Sequence, residues 1–123
     1  MRVAMKLFAI GCLMCALAAC SRQPSLDRAT LRSIAAEATA LLDTAPTSND
    51  ISVPNLPTAL KALNPERARA DPDGLYITTG TLFVAEWGYF VPRNKAAFDP
   101  RLAGGEPAFR HLGEGVYWYE VKG

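Results

Sequence analysis

The apolar residues of this chain change their spacing at Arg67. Between Ser25 and Thr44, Leu31, Ile34, Ala35, Ala38, Leu41 and Leu42 recur every three or four positions, which puts them on one face of a helix. Ser25 has the right side chain for an N-cap, and Asp27 suits the positive end of the helix dipole. Pro46 marks the end of this N-terminal amphipathic helix. Thr47 to Val53 is polar and turn-rich. Pro57 to Leu63 reads as a short helix with Pro57 in its first turn, where the missing N–H costs little. Leu56, Leu60 and Leu63 would face the core, and Asn64-Pro65 stops the helix.

After Arg67 the period is two. Ala68 to Asp71 and Leu75 to Thr79 are expected strands, joined through Asp71-Pro72-Asp73-Gly74, a strong turn because Pro presets the first central position. Gly80 is expected to break the second strand. Thr81 to Ala85 and Tyr89 to Val91 then flank Glu86-Trp87-Gly88 as a tight hairpin or bulge, and Pro92 ends the run. Val116 to Lys122 alternates, with Tyr117, Tyr119 and Val121 on one face. Helices first and strands afterwards imply α+β: the N-terminal amphipathic helix plus the short helix packed on a small 4–5-stranded, mostly antiparallel sheet. One helix layer covers one face. Aromatics on strands are more often core than interface, but if Tyr76, Tyr117 and Tyr119 lie on the exposed second face they make a ready contact patch.

The N-terminus carries a separate message. Arg2 and Lys6 precede a stretch without charge from Leu7 to Ala19, and Cys20 follows at once. A basic start, a short apolar core and small residues before a cut site make a secretory signal. The core is shorter than the about 20 residues a spanning helix needs. Leu17-Ala18-Ala19-Cys20 resembles the lipobox of bacterial lipoproteins. That resemblance implies cleavage before Cys20 and lipid on its sulfur and amine, while Ala16-Leu17-Ala18 also fits ordinary secretion. Ser21, rather than Asp, follows the cysteine, and by resemblance to the common sorting pattern this favours the periplasmic face of the outer membrane. The expected organisation is 1–19 signal peptide, 20–24 anchor and short tether, and 25–123 a single globular domain. About a hundred residues can bury a modest core. Cys12 and Cys15 leave with the signal, so no disulfide is expected in the mature chain. Loss of Arg2 and Lys6 turns 13 basic and 12 acidic side chains into a slight negative balance, which offers nucleic acid nothing.

Chemistry-bearing residues are sparse. His111 is the one histidine, poor material for a Ser-His-Asp system or a zinc site. Asp71, Asp73, Glu86, Asp99, Glu106, Glu114 and Glu120 include no recognisable glycosidase pair. Asp71-Pro72-Asp73-Gly74 lacks the further ligands of a calcium loop. No catalytic residue, metal or cofactor is expected. The segment Arg93 to Gly115 is long for a connection and holds Arg93, Lys95, Phe98, Arg101, Phe109, Arg110 and His111. Either Phe98 and Phe109 pin it to the sheet, or it is a basic, aromatic recognition loop, with Trp87 nearby. Arg28 and Arg32 form a stripe close to the tether, a solvated face or a contact for anionic lipid heads.

Together these features lead us to expect a small, non-catalytic, lipid-anchored binding protein facing the periplasm, with a protein partner in the envelope. Its layout is similar to that of small lipoproteins of Gram-negative bacteria. The more specific expectation is an inhibitor or immunity-type protein against an envelope-acting enzyme or toxin, although the Ser-Gly-x-x-Tyr signature of periplasmic lysozyme inhibitors is absent. The alternatives are an accessory lipoprotein of an outer-membrane assembly or peptidoglycan-contacting complex and, more remotely, a hydrolase.

Overall fold

The computed structural model describes residues 25–45, 47–100 and 105–123. The signal peptide, the lipobox with Cys20, the tether and Arg101 lie outside the described residues. The main helix, α1, covers Arg28–Thr44. No helix begins at Ser25. Asp27 is the cap instead, its Oδ1 accepting from the Thr30 N–H at 2.8 Å, and this bond holds the Asp27 carboxyl below its ordinary pKa. Leu31, Ile34, Ala35, Ala38 and Leu42 are the buried face. The second helix, α2, is the single turn Thr58–Lys61, with Pro57 at its N-cap position. Pro57 has no side chain to cap with, so Glu37 of α1 does the work. Its Oε1 accepts from the Ala59 and Leu60 amides at 2.8 and 3.1 Å. The orphan donors of α2 thereby tie it to α1.

The strands are β1 (Asn49–Ile51), β2 (Arg67–Ala70), β3 (Gly74–Leu82), β4 (Ala85–Pro92), β5 (Ala108–Gly113) and β6 (Val116–Val121). They form one six-stranded sheet in the order β1-β2-β3-β4-β6-β5, antiparallel throughout. The sheet thus has six strands rather than four or five. The additions are β1, inside the polar stretch, and β5, inside the supposed loop. Neither shows an apolar alternation of its own; pairing with β2 and with β6 makes them strands. The 71–74 turn forms as expected, with Asp71 and Gly74 exchanging N–H···O bonds of 2.8 and 3.2 Å.

The next hairpin differs from the expectation. Its turn lies at Phe83-Val84, and Glu86-Trp87-Gly88 belongs to β4. Gly80 does not end β3. It sits at a register irregularity where the Trp87 indole lies against the backbone, so that a Cβ would strike the ring. Gly88 similarly leaves room for the Ile77 carbonyl of β3.

Both faces of the sheet are covered. Leu75, Ile77, Tyr89, Val91, Val116 and Trp118 pack beneath α1. On the other face Tyr76, Phe90 and Tyr119 form a second cluster with Phe98, Phe109, Tyr117 and Val121. An exposed tyrosine patch is therefore not present: Tyr76 is 7% and Tyr119 1% exposed, and Tyr117 is half-buried. Phe98 and Phe109 pack over this cluster.

Two substitutions test this core. The Tyr89 hydroxyl is buried and has no hydrogen-bond partner among the described residues; burial pushes its pKa up to about 12. Tyr89→Phe removes only this unpaired group, so the denaturation midpoint should stay put or rise, by up to about 1 kcal/mol. Glu37→Ala should lower stability by about 1–2 kcal/mol in the same measurement, because two buried-side amides of α2 lose their acceptor.

Candidate functional site

The segment after β4 is built around anchors. Arg93 donates from Nη1 to the Leu42 carbonyl at 2.8 Å and from Nη2 to the Asp71 carbonyl at 3.1 Å. It bolts the C-terminal end of α1, whose carbonyls lack helical partners, to the β2–β3 turn. Asn94 then closes one turn: its Oδ1 accepts from Ala97 N and its carbonyl from Phe98 N. That turn drops Phe98 onto the sheet, 5.1 Å from the Phe90 ring, 5.2 Å from Phe109 and 5.0 Å from Tyr117. Phe109 stands 5.0 Å from Phe90. Tilted and edge-to-face pairs at these separations add to the burial energy of the rings. Phe98 and Phe109 therefore pin the segment, and the stretch expected as one long loop contains strand β5.

Other expected contact residues are dispersed. Trp87 is half-buried and packs on the main core. Lys95 is exposed and its stem lies over Gly115. It rims a shallow groove of about 460 Å³ with Arg32, Asp43 and Glu114. Glu114 takes both Arg28 and Arg32, at 3.6 and 3.3 Å, so that stripe is an exposed ion-pair cluster. Arg110 and His111 are both exposed on β5 and, as strand neighbours, point to opposite faces. Arg110 pairs in register with Trp118 and lines a hollow of about 180 Å³ with Trp118 and Glu120. His111 lies 4.9 Å from the Tyr117 ring on the other face.

The carboxylates have structural partners. Asp71 pairs with Arg69 at 3.0 Å. Asp73 accepts from the Tyr76 hydroxyl at 2.7 Å, and burial together with this bond raises the Tyr76 pKa. Glu106 accepts from the Lys122 amide, and Glu120 from the Trp118 indole at 2.9 Å. Glu86 joins a polar network on the sheet's second face. The Thr78 and Tyr119 hydroxyls lie 2.6 Å apart, both reach Glu86 at 3.3 Å, and Arg67 closes the set at 3.2 Å. Burial pushes the Tyr119 phenol up to about 12, so at neutral pH it is a hydrogen-bond donor and no base. Among the described residues no three His, Cys, Asp or Glu side chains group as metal ligands.

One feature escaped the reading of the sequence. At the β3–β4 tip, Leu82, Phe83 and Val84 are 54%, 97% and 74% exposed. Phe83 also has φ +56°, the left-handed region that Gly or Asn occupies with less strain. The signal was the run Leu82-Phe83-Val84 itself: three apolar residues in a row break the period of two and carry none of the usual turn chemistry.

Comparison with known proteins gives no match, whether to family models, to curated proteins or to solved structures. Among the described residues no helix is long and apolar enough to cross a membrane.

If Phe83 serves something other than the fold, Phe83→Asn should leave the far-ultraviolet spectrum unchanged. The thermal midpoint should then hold or rise, because relief of a left-handed Phe is worth about 1 kcal/mol. A clear loss of stability would mean that the ring has a packing role.

Proposed function

We propose that this chain is a lipid-anchored, non-catalytic binding protein on the periplasmic face of the outer membrane, held through Cys20. We further propose that it engages a protein partner through β5, as an inhibitor or immunity-type protein engages an envelope-acting enzyme or toxin. The observation that carries this reading is the exposed Arg110 on an outer strand, with the exposed His111 beside it on the opposite face. β5 ends the sheet, so its outward amides and carbonyls pair with no other strand among the described residues. Arg110 makes no ion pair among the described residues. A peptide segment can add to such an edge, with main-chain bonds supplying affinity and side chains supplying choice.

Two local features narrow the docking stretch to Ala108–His111. Pro107 precedes it, and the register irregularity between His111 and Gly113 follows it. The carboxylates at either end, Glu106 and Glu114, are occupied by the Lys122 amide and by Arg28 and Arg32. The free charge along the strand is therefore positive, which favours an acidic segment. Phe109 of β5 packs against Phe90 and Phe98, which supports a strand already seated on the sheet and so a smaller entropy loss on association.

The chain from Ser21 onward, used as bait on an envelope extract with mild crosslinking, tests this. A peptidoglycan hydrolase or secreted toxin should be captured, and Arg110→Glu should cut capture at least tenfold. Recovery of resident outer-membrane assembly components alone would replace the inhibitor reading with that of an accessory lipoprotein. Arg93→Glu is no substitute for Arg110→Glu, since Arg93 holds the fold together.

A further inference from the structure

We propose that the β3–β4 tip is a second membrane contact: Leu82, Phe83 and Val84 enter the interface of the bilayer to which lipid on Cys20 tethers the chain. The inference rests on the anchoring of Cys20, and on the tip independently of β5.

These three are the exposed large apolar side chains of the described residues, and they are contiguous. Scattered apolar side chains on a surface need no explanation, whereas a clustered, protruding set marks a contact. Phe83 is held at φ +56° with its ring in water. Local strain combined with exposure is the pattern of a residue kept for binding.

At the tip the Gly123 backbone lies against Val84, and the exposed Lys122 directly precedes it in sequence, a cation that suits anionic headgroups. No side chain from Thr81 to Ala85 ionises. Beneath them Arg67 is paired with Glu86 at 3.2 Å, and Glu66 accepts from the Thr81 hydroxyl at 3.2 Å. An apolar end whose own residues carry no charge can enter the headgroup–acyl boundary while neighbouring charged groups stay at the headgroup level.

Reach selects the bilayer as occupant. The N-terminal end of α1 lies by the β5–β6 turn, where Arg28 meets Glu114. β6 and β4 are antiparallel, so the tip lies at the other end of the sheet. β4 from Ala85 to Pro92 covers about 23 Å at strand rise. Leu26 packs on the core and Asp27 caps α1, so the free length runs from Cys20 to Ser25, five residues and up to about 18 Å. A membrane held at Cys20 is therefore within reach of the tip when the domain lies on its side. Three apolar side chains by themselves bind a bilayer only weakly, with dissociation constants on the order of millimolar. A short tether supplies an effective concentration that is also about millimolar. The tip thus engages when the chain is anchored and not when it is free.

The experiment uses the mature, lipidated chain from Cys20 onward in phosphatidylethanolamine–phosphatidylglycerol vesicles. Val84→Cys carries a thiol-linked, environment-sensitive fluorophore, Cys20 being blocked by its lipid. Mass spectrometry of the Cys20 peptide reads the anchor separately from the tip. With acylation present, the fluorophore should shift to the blue, be quenched by lipids carrying an acyl-chain quencher and be shielded from aqueous iodide. Adding Phe83→Ser should reduce the lipid-quenched fraction roughly tenfold, with the circular dichroism unchanged because Phe83 is solvent-exposed. Full access to iodide on an acylated protein overturns the proposal. So does a fluorophore protected only after envelope proteins are added, an outcome that assigns the tip to an apolar pocket in a protein. A Cys20 without acyl groups removes both the anchor and this inference.

Discussion

Covering both faces of the sheet is the constraint on which the rest of the structure depends. Consecutive residues of β3, β4 and β6 point to opposite sides, and both sets are large and apolar. Ile77, Tyr89 and Trp118 need one cover; Tyr76, Phe90 and Tyr119 need another. Helix α1 supplies the first. With no second long helix among the described residues, the chain uses its own connection. Phe98 and Phe109 fold over Phe90 at 5.1 and 5.0 Å, and Arg69 lies 5.3 Å over the Tyr76 ring. Without that cover three aromatic rings would face water, a cost comparable with the whole stability of a small domain.

This requirement decides which residues remain for recognition. Phe98 and Phe109 are consumed by packing, Arg93 by the carbonyls of Leu42 and Asp71, and Trp87 by the groove over Gly80. What stays outward is narrower: Arg110 and His111 on the outer strand, Lys95 beside Gly115, and the Leu82-Phe83-Val84 tip. In the proposed arrangement the tip and the lipid orient the domain while β5 meets a partner, so neither surface competes with the other.

Charge follows the same economy. Arg28 and Arg32 share Glu114, Arg67 meets Glu86, and Arg69 meets Asp71. These pairs are mostly solvent-exposed and add little stability. Their effect is to remove isolated charges from the ends of the sheet. The exception in depth is Glu86, whose bonds to Thr78 and Tyr119 satisfy a buried hydroxyl pair that would otherwise be costly.

Local pattern sufficed where the residues carry their own reason. The apolar face of α1, the Asp71–Gly74 turn and the alternation of β6 were legible because spacing and turn chemistry act over a few residues. The α+β class follows from the order of those periods. Cap and boundary were not: Asp27 displaces Ser25, and the β3–β4 turn falls at Phe83-Val84, where no turn-forming residue announces it. β1 and β5 could not be read either, since their strand character comes from partners distant in sequence. Likewise Tyr76 and Tyr119 looked available until Phe98 and Phe109 arrived from another part of the chain. The sequence by itself thus determined which segments prefer helix, strand or turn, and the N-terminal pattern that points to an anchor. Only the tertiary structure decided which apolar and basic side chains are used up in closing the sheet and which stay exposed. Burial is a property of neighbours brought together by folding, and no single residue's spacing encodes it.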